Sequence, residues 1–434
     1  MNGGTGGGLI PRRGAVGLLR GVLDHGRMLP ELVADADGPL RDLAPDQAAR
    51  AQRMATGTLR FVVQINALLA PRLRKPPPAE VMHILRLAAW EILVADVPAY
   101  AAGDSAVRQV RGLRRHQHLS GLVNAVVRGL GRDGAETWGR RRPCQLPKWL
   151  DTPVRRAYGD AAALSIAAAH QSVPPVDLTP RDDQDALALA ERLGAQLLPT
   201  GSLRLAVPGQ ITTLPGYDKG EWWVQDVAAA IPVRALGPIS GLDAVDLCAA
   251  PGGKTMQLAA GGADVTAIDV SGERLRRLRA NLNRTALSAR VLTADALDWA
   301  PAASVDLVVL DAPCSASGTL RRHPDLPFVR KNPDIAPLIA LQGQLLDRAW
   351  SWLKPGGRLL YCTCSLLPAE GEDQAAAAMS RHLDMVQDPV RLDGLDPAWI
   401  SARGALRLRP DYWPDRGGMD GFFATILRKS PVEP

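Results

Sequence analysis

Cys314 and Cys364 lie fifty residues apart, each just past an apolar run and each beside polar residues, in Asp311-Ala312-Pro313-Cys314-Ser315 and Tyr361-Cys362-Thr363-Cys364-Ser365. A free thiol has a pKa near 8.5, so it acts as a nucleophile only where its surroundings favour the thiolate. Such a group suits alkylation of a pyrimidine. C5 of cytosine is a poor nucleophile, but a thiolate added to C6 places electron density on C5, which can then attack a sulfonium methyl group. The C5 proton must leave and the protein must be expelled from C6, and a second group near the base can assist that departure. Lone cysteines in apolar strands are usually inert, which is the expectation for Cys362 and Cys144.

A second constellation precedes the thiols. One apolar run ends in Asp246-Leu247-Cys248-Ala249-Ala250-Pro251-Gly252-Gly253-Lys254-Thr255. Its glycines let the backbone approach a ligand, and the helix that follows offers free N–H groups. A triphosphate loop would need Gly at position 248, where this chain has Cys. The next run ends at Asp269, placed to accept hydrogen bonds from a ribose diol, and a third is followed by Asp295, which could receive an exocyclic amine. These parts fit an adenosine without a pyrophosphate, and S-adenosyl-L-methionine is the expected cofactor.

The positioning elements follow from the rhythm of the chain. Strands are expected over Ala244–Leu247, Val265–Asp269, Val291–Thr293, Val305–Asp311 and Arg358–Thr363, with helices over Ser271–Arg284 and Ile335–Leu353. This alternation implies an α/β, Rossmann-like, doubly wound and mostly parallel sheet, which binds ligands at the carboxyl ends of its strands. The region before it reads as all helix, near Gly14–Ala34, Asp46–Leu69, Ala79–Asp96, Ser105–Arg115 and Ser120–Leu130. Residues 133–147 read as a linker. A mixed stretch follows, with a helix at Ala161–Gln171 and a strand at Pro175–Leu178. The domains expected are 1–135, 148–236 and 237–430.

Of the 434 residues, 46% are hydrophobic, which excludes a disordered chain. No apolar stretch approaches 18 residues, so no membrane span is expected. The Gly-rich opening, MNGGTGGGLIPRR, lacks the core of a secretory signal and reads as a loose tail. Five cysteines without a CxxC pair point to free thiols, a reducing cytoplasmic compartment and no metal site. Residues 1–145 hold 21 Lys+Arg against 12 Asp+Glu, and the remainder 30 against 33. A basic block on a near-neutral chain suggests a nucleic-acid partner.

With these residues in view, the chain resembles the Sun/Fmu family of RNA cytosine-5 methyltransferases, within the Nop2/Sun superfamily. Gly57-Thr58-Leu59-Arg60 and Ser120 through Arg128 resemble that family's NusB-like helical domain. Trp223-Val224-Gln225-Asp226 and Asp420-Gly421-Phe422-Phe423 resemble its flanking segments. The resemblance implies an RNA-recognition-like subdomain before the methyltransferase fold, and a monomer acting on ribosomal RNA of the small subunit (16S). It assigns Cys364 as the nucleophile, Cys314 as the group that resolves the adduct, and Cys248–Lys254 as the methionine-side loop. Asp269 and Asp295 become the adenosine contacts, and Asp311 the carboxylate at the junction of cofactor and base. Two positions depart from the pattern: Cys362 where the family often has Ala, and Pro327-Phe328 where it often has Lys-Trp. The Arg321-Arg322 pair would suit RNA phosphates. Two alternatives stand beside this reading. A DNA cytosine-5 methyltransferase would use the Pro-Cys cysteine as nucleophile, but the Thr-Cys-Ser motif and the helical domain disfavour it. A catalytically silent, NusB-like RNA-binding protein is disfavoured by the intact loop and both cysteines.

Overall fold

The structure, a computed structural model, describes residues 8–140, 144–206, 209–330 and 334–431. The described chain forms two compact units. One comprises the described residues of Met1–Asp151 with those of Arg322–Asn332, and the other those of Thr152–Arg321 with those of Pro333–Pro434.

The first unit is helical: α1 (Leu9–Leu23), α2 (Leu29–Ala34), α3 (Pro45–Leu69), α4 (Ala79–Leu93), α5 (Ala99–Arg111), α6 (Ser120–Gly129) and α7 (Ala135–Gly139). Apolar residues at three- and four-residue spacing, such as Val81, Ile84, Leu85, Ala88 and Ala89 on α4, supply one shared core. Gly57 on α3 lets the Trp90 indole lie against the helix, since a Cβ there would meet the ring at 2.4 Å. Inside the unit, Arg12 donates to Glu91 through Nε (3.1 Å) and a terminal nitrogen (2.6 Å).

Three expectations change here. The stretch Gly14–Ala34 is two helices, because the chain turns at Gly26 with φ +64°. Residues 1–7 of the expected tail lie outside the described residues, but α1 already begins at Leu9 and buries Pro11 and Arg12. The expected linker is helical through Gly139, and Trp138 meets Phe61 edge-on at 5.7 Å. Its polar sequence concealed one anchoring indole; residues 141–143 of that stretch lie outside the described residues.

The second unit begins in α8 (Lys148–Ala169), interrupted at Gly159 (φ +84°), so the expected helix at Ala161–Gln171 is its second half. A small antiparallel sheet of order β2-β3-β1-β4 follows, from β1 (Val176–Pro180), β2 (Gln196–Leu197), β3 (Leu203–Leu205) and β4 (Trp222–Val224), with α9 (Ala186–Leu193) beside it.

The large sheet contains β5 (Asp243–Leu247), β6 (Asp264–Asp269), β7 (Arg290–Thr293), β8 (Val305–Asp311), β9 (Leu353–Thr363), β10 (Met385–Asp388), β11 (Leu406–Leu408) and β12 (Phe422–Lys429). Its order is β10-β12-β9-β8-β5-β6-β7, with β11 also pairing β12. Strands β5 to β9 pair in parallel, and β12 runs antiparallel to β9, β10 and β11. The order reverses at β5, which has β6 on one side and β8 on the other, and such a switch point opens a crevice at the strand ends. Side chains alternate between faces. Leu307, Val309, Leu360 and Cys362 join the core beside α10 (Val227–Arg234) and α11 (Gly253–Ala260). Val308, Leu310, Leu359 and Tyr361 join the core beside α14 (Ala336–Ser351) and α15 (Glu372–Arg381). Between β6 and β7 lies α12 (Gly272–Thr285). Among the described residues no helix is long and apolar enough to cross a membrane.

Candidate active site

The loop after β5 is shaped by its backbone. Cys248 adopts φ +57° and Gly252 φ +106°, and a Cβ on Gly252 would meet Leu278 of α12 at 2.8 Å. The amide of Ala249 donates to the carbonyl of Ile268 (3.0 Å) and that of Ala250 to Asp269 Oδ2 (3.1 Å). Asp269 is buried, and its Oδ1 receives the Ser271 amide (2.9 Å), which fixes the start of α12. Arg274 donates to the Ala250 carbonyl at 2.6 Å. Asp295 is exposed after β7 and accepts the Leu297 amide at 2.9 Å. The Ala294 amide donates to the Asp269 carbonyl (3.2 Å), so the two expected acceptors end neighbouring strands on one rim.

Lys254 is buried and points from α11 to Asp311 at the end of β8, with Nζ 2.7 Å from Oδ2 and 4.8 Å from the Phe422 ring centre. Burial disfavours its charge, but Asp311, Cys362 and Asp246 together outweigh burial and hold the ammonium's pKa above its ordinary value. Asp246 is fully buried, and its Oδ2 accepts the Thr255 hydroxyl at 2.5 Å. Burial pushes Asp246 up to about 7, aided by Asp311 and Asp269 and opposed by Thr255 and Lys254. Its other oxygen, Oδ1, has no hydrogen-bond partner.

A cavity of about 500 Å³ is lined by Asp246, Ala249–Pro251, Gly253, Lys254 and Asp311, and also by Tyr217, Trp223, Gln225 and Arg284. Asp269, Asp295 and the two thiols lie outside that lining. Gln225 takes the Trp223 indole N–H (2.8 Å) and the Thr179 hydroxyl (2.9 Å) on Oε1, and donates to Gln257 (2.8 Å). Asp226 caps α10 through the Ala228 amide (2.8 Å). The Trp223–Asp226 segment thus ties the small sheet to the cavity wall.

Cys314 and Cys364 come together with their Sγ atoms 3.4 Å apart. Both are partly buried, whereas Cys362 is fully buried, its Sγ 3.7 Å from Asp311 Oδ1. The hydrogen bond with Cys314, followed by burial and the Asp311 charge, raises the Cys364 thiol well above its ordinary value, and Lys254 opposes that rise. Burial raises Cys362 in the same direction, and Cys248 to about 12. The Gly318 amide donates to the Cys364 carbonyl (2.9 Å) and the Gly421 amide to the Gly318 carbonyl (2.8 Å). Asp420–Phe423 therefore braces the thiol loops.

Other placements differ from expectation. Arg321 is fully buried, 3.2 Å from Asp420 and donating to the Gly417 carbonyl (3.0 Å), so it presents nothing to a phosphate. A salt-bridge partner ninety-nine residues away carried no local signal. Phe328 packs against the helical core rather than lining the cavity. Cys144 is only partly buried. Sequence reasoning also missed Glu370, a buried carboxylate that receives Ser315 and Ser365. The one hint was that Cys314 and Cys364 are each followed by Ser.

A switch-point sheet with a glycine-bearing loop after its first strand and acidic residues at the next two strand ends defines an S-adenosylmethionine-dependent methyltransferase. The donor set fits that cofactor. Asp246 is among the residues lining the cavity and its buried Oδ1 has no hydrogen-bond partner, an uncommitted acidic acceptor of the kind a ligand's ammonium requires. The family model for the 16S rRNA methyltransferase RsmB/F matches residues 233–428, and that of the NusB family matches 10–132. The ribosomal RNA small subunit methyltransferase B of Photorhabdus laumondii is 33% identical, covering 94% of this chain and 96% of its own. That of Erwinia tasmaniensis is 36% identical, covering 84% and 88%. A solved methyltransferase homolog from Pyrococcus horikoshii is 28% identical with a TM-score of 0.54, covering 64% of this chain and 94% of that one. The chain belongs to the RsmB/F methyltransferase family.

Proposed function

We propose that the protein methylates C5 of a cytidine in 16S ribosomal RNA through a covalent bond between Cys364 and C6 of the base. The observation that carries this reading is the pair of thiols 3.4 Å apart, next to the Lys254–Asp311 ion pair. The relatives' printed names and the basic character of residues 1–145 support ribosomal RNA as the substrate.

The cofactor supplies an electrophilic methyl group on a sulfonium. Residues 248–254 would hold its methionine side, Asp246 its ammonium, and Asp269 and Asp295 its adenosine. Asp311 stands where cofactor and base meet. The target base must be unstacked to reach the thiols. Cys364 gives up its proton to solvent, and the charge of Lys254 stabilises the resulting thiolate. Its Sγ bonds to C6, and the electron pair of the C5–C6 double bond moves to C5, which would take the methyl group as the methyl–sulfur bond breaks and leaves its electron pair on a neutral thioether. Cys314, having itself lost its proton to solvent, then accepts the C5 proton; the C–H electron pair re-forms the double bond, and the bond to Cys364 breaks with its pair returning to that sulfur.

Bisulfite sequencing of 16S ribosomal RNA from cells with and without the gene tests the product, which should lose one protected cytidine. With purified protein, Cys364→Ala should form no covalent RNA complex, and Cys314→Ala should accumulate one that survives denaturing electrophoresis. The reverse pattern exchanges the two roles and overturns the assignment.

A further inference from the structure

Between the two thiol loops lies a carboxylate that has no part in the chemistry above. Glu370, on the turn before α15, is 0% exposed. Its Oε1 receives the Ser315 amide (2.8 Å) and the Gln342 side chain (3.2 Å). Its Oε2 receives the Ser315 hydroxyl (2.5 Å) and the Ser365 hydroxyl (2.6 Å). Ser315 follows Cys314 and Ser365 follows Cys364, so one oxygen atom spans both loops. Ser317 completes the cluster, 3.0 Å from Ser315 and 3.1 Å from Ser365, and accepts the Leu366 amide at 2.9 Å. The Glu370 carbonyl is itself held by the Tyr361 hydroxyl at 2.7 Å.

Among the described residues no cation forms an ion pair with Glu370. Burying a carboxylate without a counter-charge is expensive, and an apolar side chain of similar volume would serve a purely packing role better. What an apolar side chain cannot do is accept one hydroxyl from each loop and thereby fix their separation. We infer that Glu370 is a positioning residue that sets the Cys314–Cys364 spacing and so governs how fast the covalent step proceeds. The inference deepens the proposed function and rests on it for the kinetic consequence, but not for the spacing itself.

Two readouts separate these. Phenylarsine oxide binds tightly only where two thiols lie within a few ångström, so it reports the spacing without any RNA. RNA carrying 5-fluorocytidine traps the Cys364 adduct, because fluorine at C5 cannot leave as a proton. In folded Glu370→Gln, with S-adenosylhomocysteine binding intact by calorimetry, arsenical affinity should fall about tenfold. Adduct formation should slow about ten- to a hundredfold with the RNA KM unchanged. Ser315→Ala and Ser365→Ala should each slow it about fivefold. Because both act through one carboxylate, the double variant should lose much less than the product of the single losses. Unchanged arsenical affinity or adduct rate in folded Glu370→Gln overturns the inference, as does a double variant that equals the product. If Glu370→Gln fails to fold, the serine cycle decides alone. A wild-type protein that forms no Cys364 adduct while the arsenical results hold overturns the covalent reading and leaves the spacing role standing.

Discussion

Asp246 shows how burial can prepare a group for a ligand. With one oxygen on Thr255 and the other without a partner, its carboxylate has lost water and gained little in return, and its pKa lies at about 7. Because the folded chain holds this proton more tightly than the unfolded chain, whose value is near 3.8, the group's contribution to the free protein's stability falls as pH rises from that value through about 7. A ligand ammonium reverses the balance by favouring the ionised form. S-adenosylmethionine should therefore bind roughly fivefold more tightly at pH 7 than at pH 6, a range in which its ammonium stays charged, and Asp246→Asn should bind more weakly with that slope removed. Calorimetric titration across this range checks both, and an Asn variant that keeps the slope would show that another group is responsible. At this scale the spacing of residues revealed which atoms could react. It placed Cys364 and Cys314 at strand ends of one sheet, but it could not reveal how closely their sulfurs approach or that Asp269 spends an oxygen on the Ala250 amide, since both depend on loops from different strands.

Strand parity explains why neighbouring thiols meet different fates. Cys362 and Cys364 project to the same face of β9, but Cys362 lies within the strand, paired with Ala424 of β12, while Cys364 lies just past its end. One thiol is therefore core and the other reaches the rim. The rim is narrow. A Cβ on Gly318 would stand 2.1 Å from the Gly421 carbonyl oxygen, so Gly318→Ala must shift the loop whose amide holds the Cys364 carbonyl. The variant should lose about 1–3 kcal/mol of stability. Its methyl-transfer rate should fall while cofactor affinity holds, as denaturant unfolding and single-turnover assays would show. Retention of both rate and stability would mean the backbone relaxes freely there.

The helical unit takes in a piece of chain from the far half of the sequence. The turn α13 (Leu326–Val329) packs on α1. Asp325 beside it is buried and accepts the Leu29 amide at 2.7 Å, one of the free donors at the start of α2. Asp325→Ala should leave that donor unsatisfied and cost the helical unit about 1–3 kcal/mol. Amide exchange should accelerate at Leu29 and along α1 and α2 before it changes in the large sheet; uniform acceleration would refute this localisation. Phe328 adds apolar contact to the same core, and neither Pro327 nor Phe328 lines the cavity.

The five parallel strands, the strand near residue 176 and most of the helices were legible because they rest on local periodicity and on glycine and proline chemistry that the chain carries along its length, whereas the short strands β2–β4 and the antiparallel β10–β12 were not. Tertiary structure alone decided that Arg321 is buried, that Trp138 anchors a stretch resembling a linker, and that Glu370 joins two cysteine loops. Each depends on a partner tens of residues away in the chain. Hydrogen bonding and burial follow distance in space, which the order of residues does not encode locally.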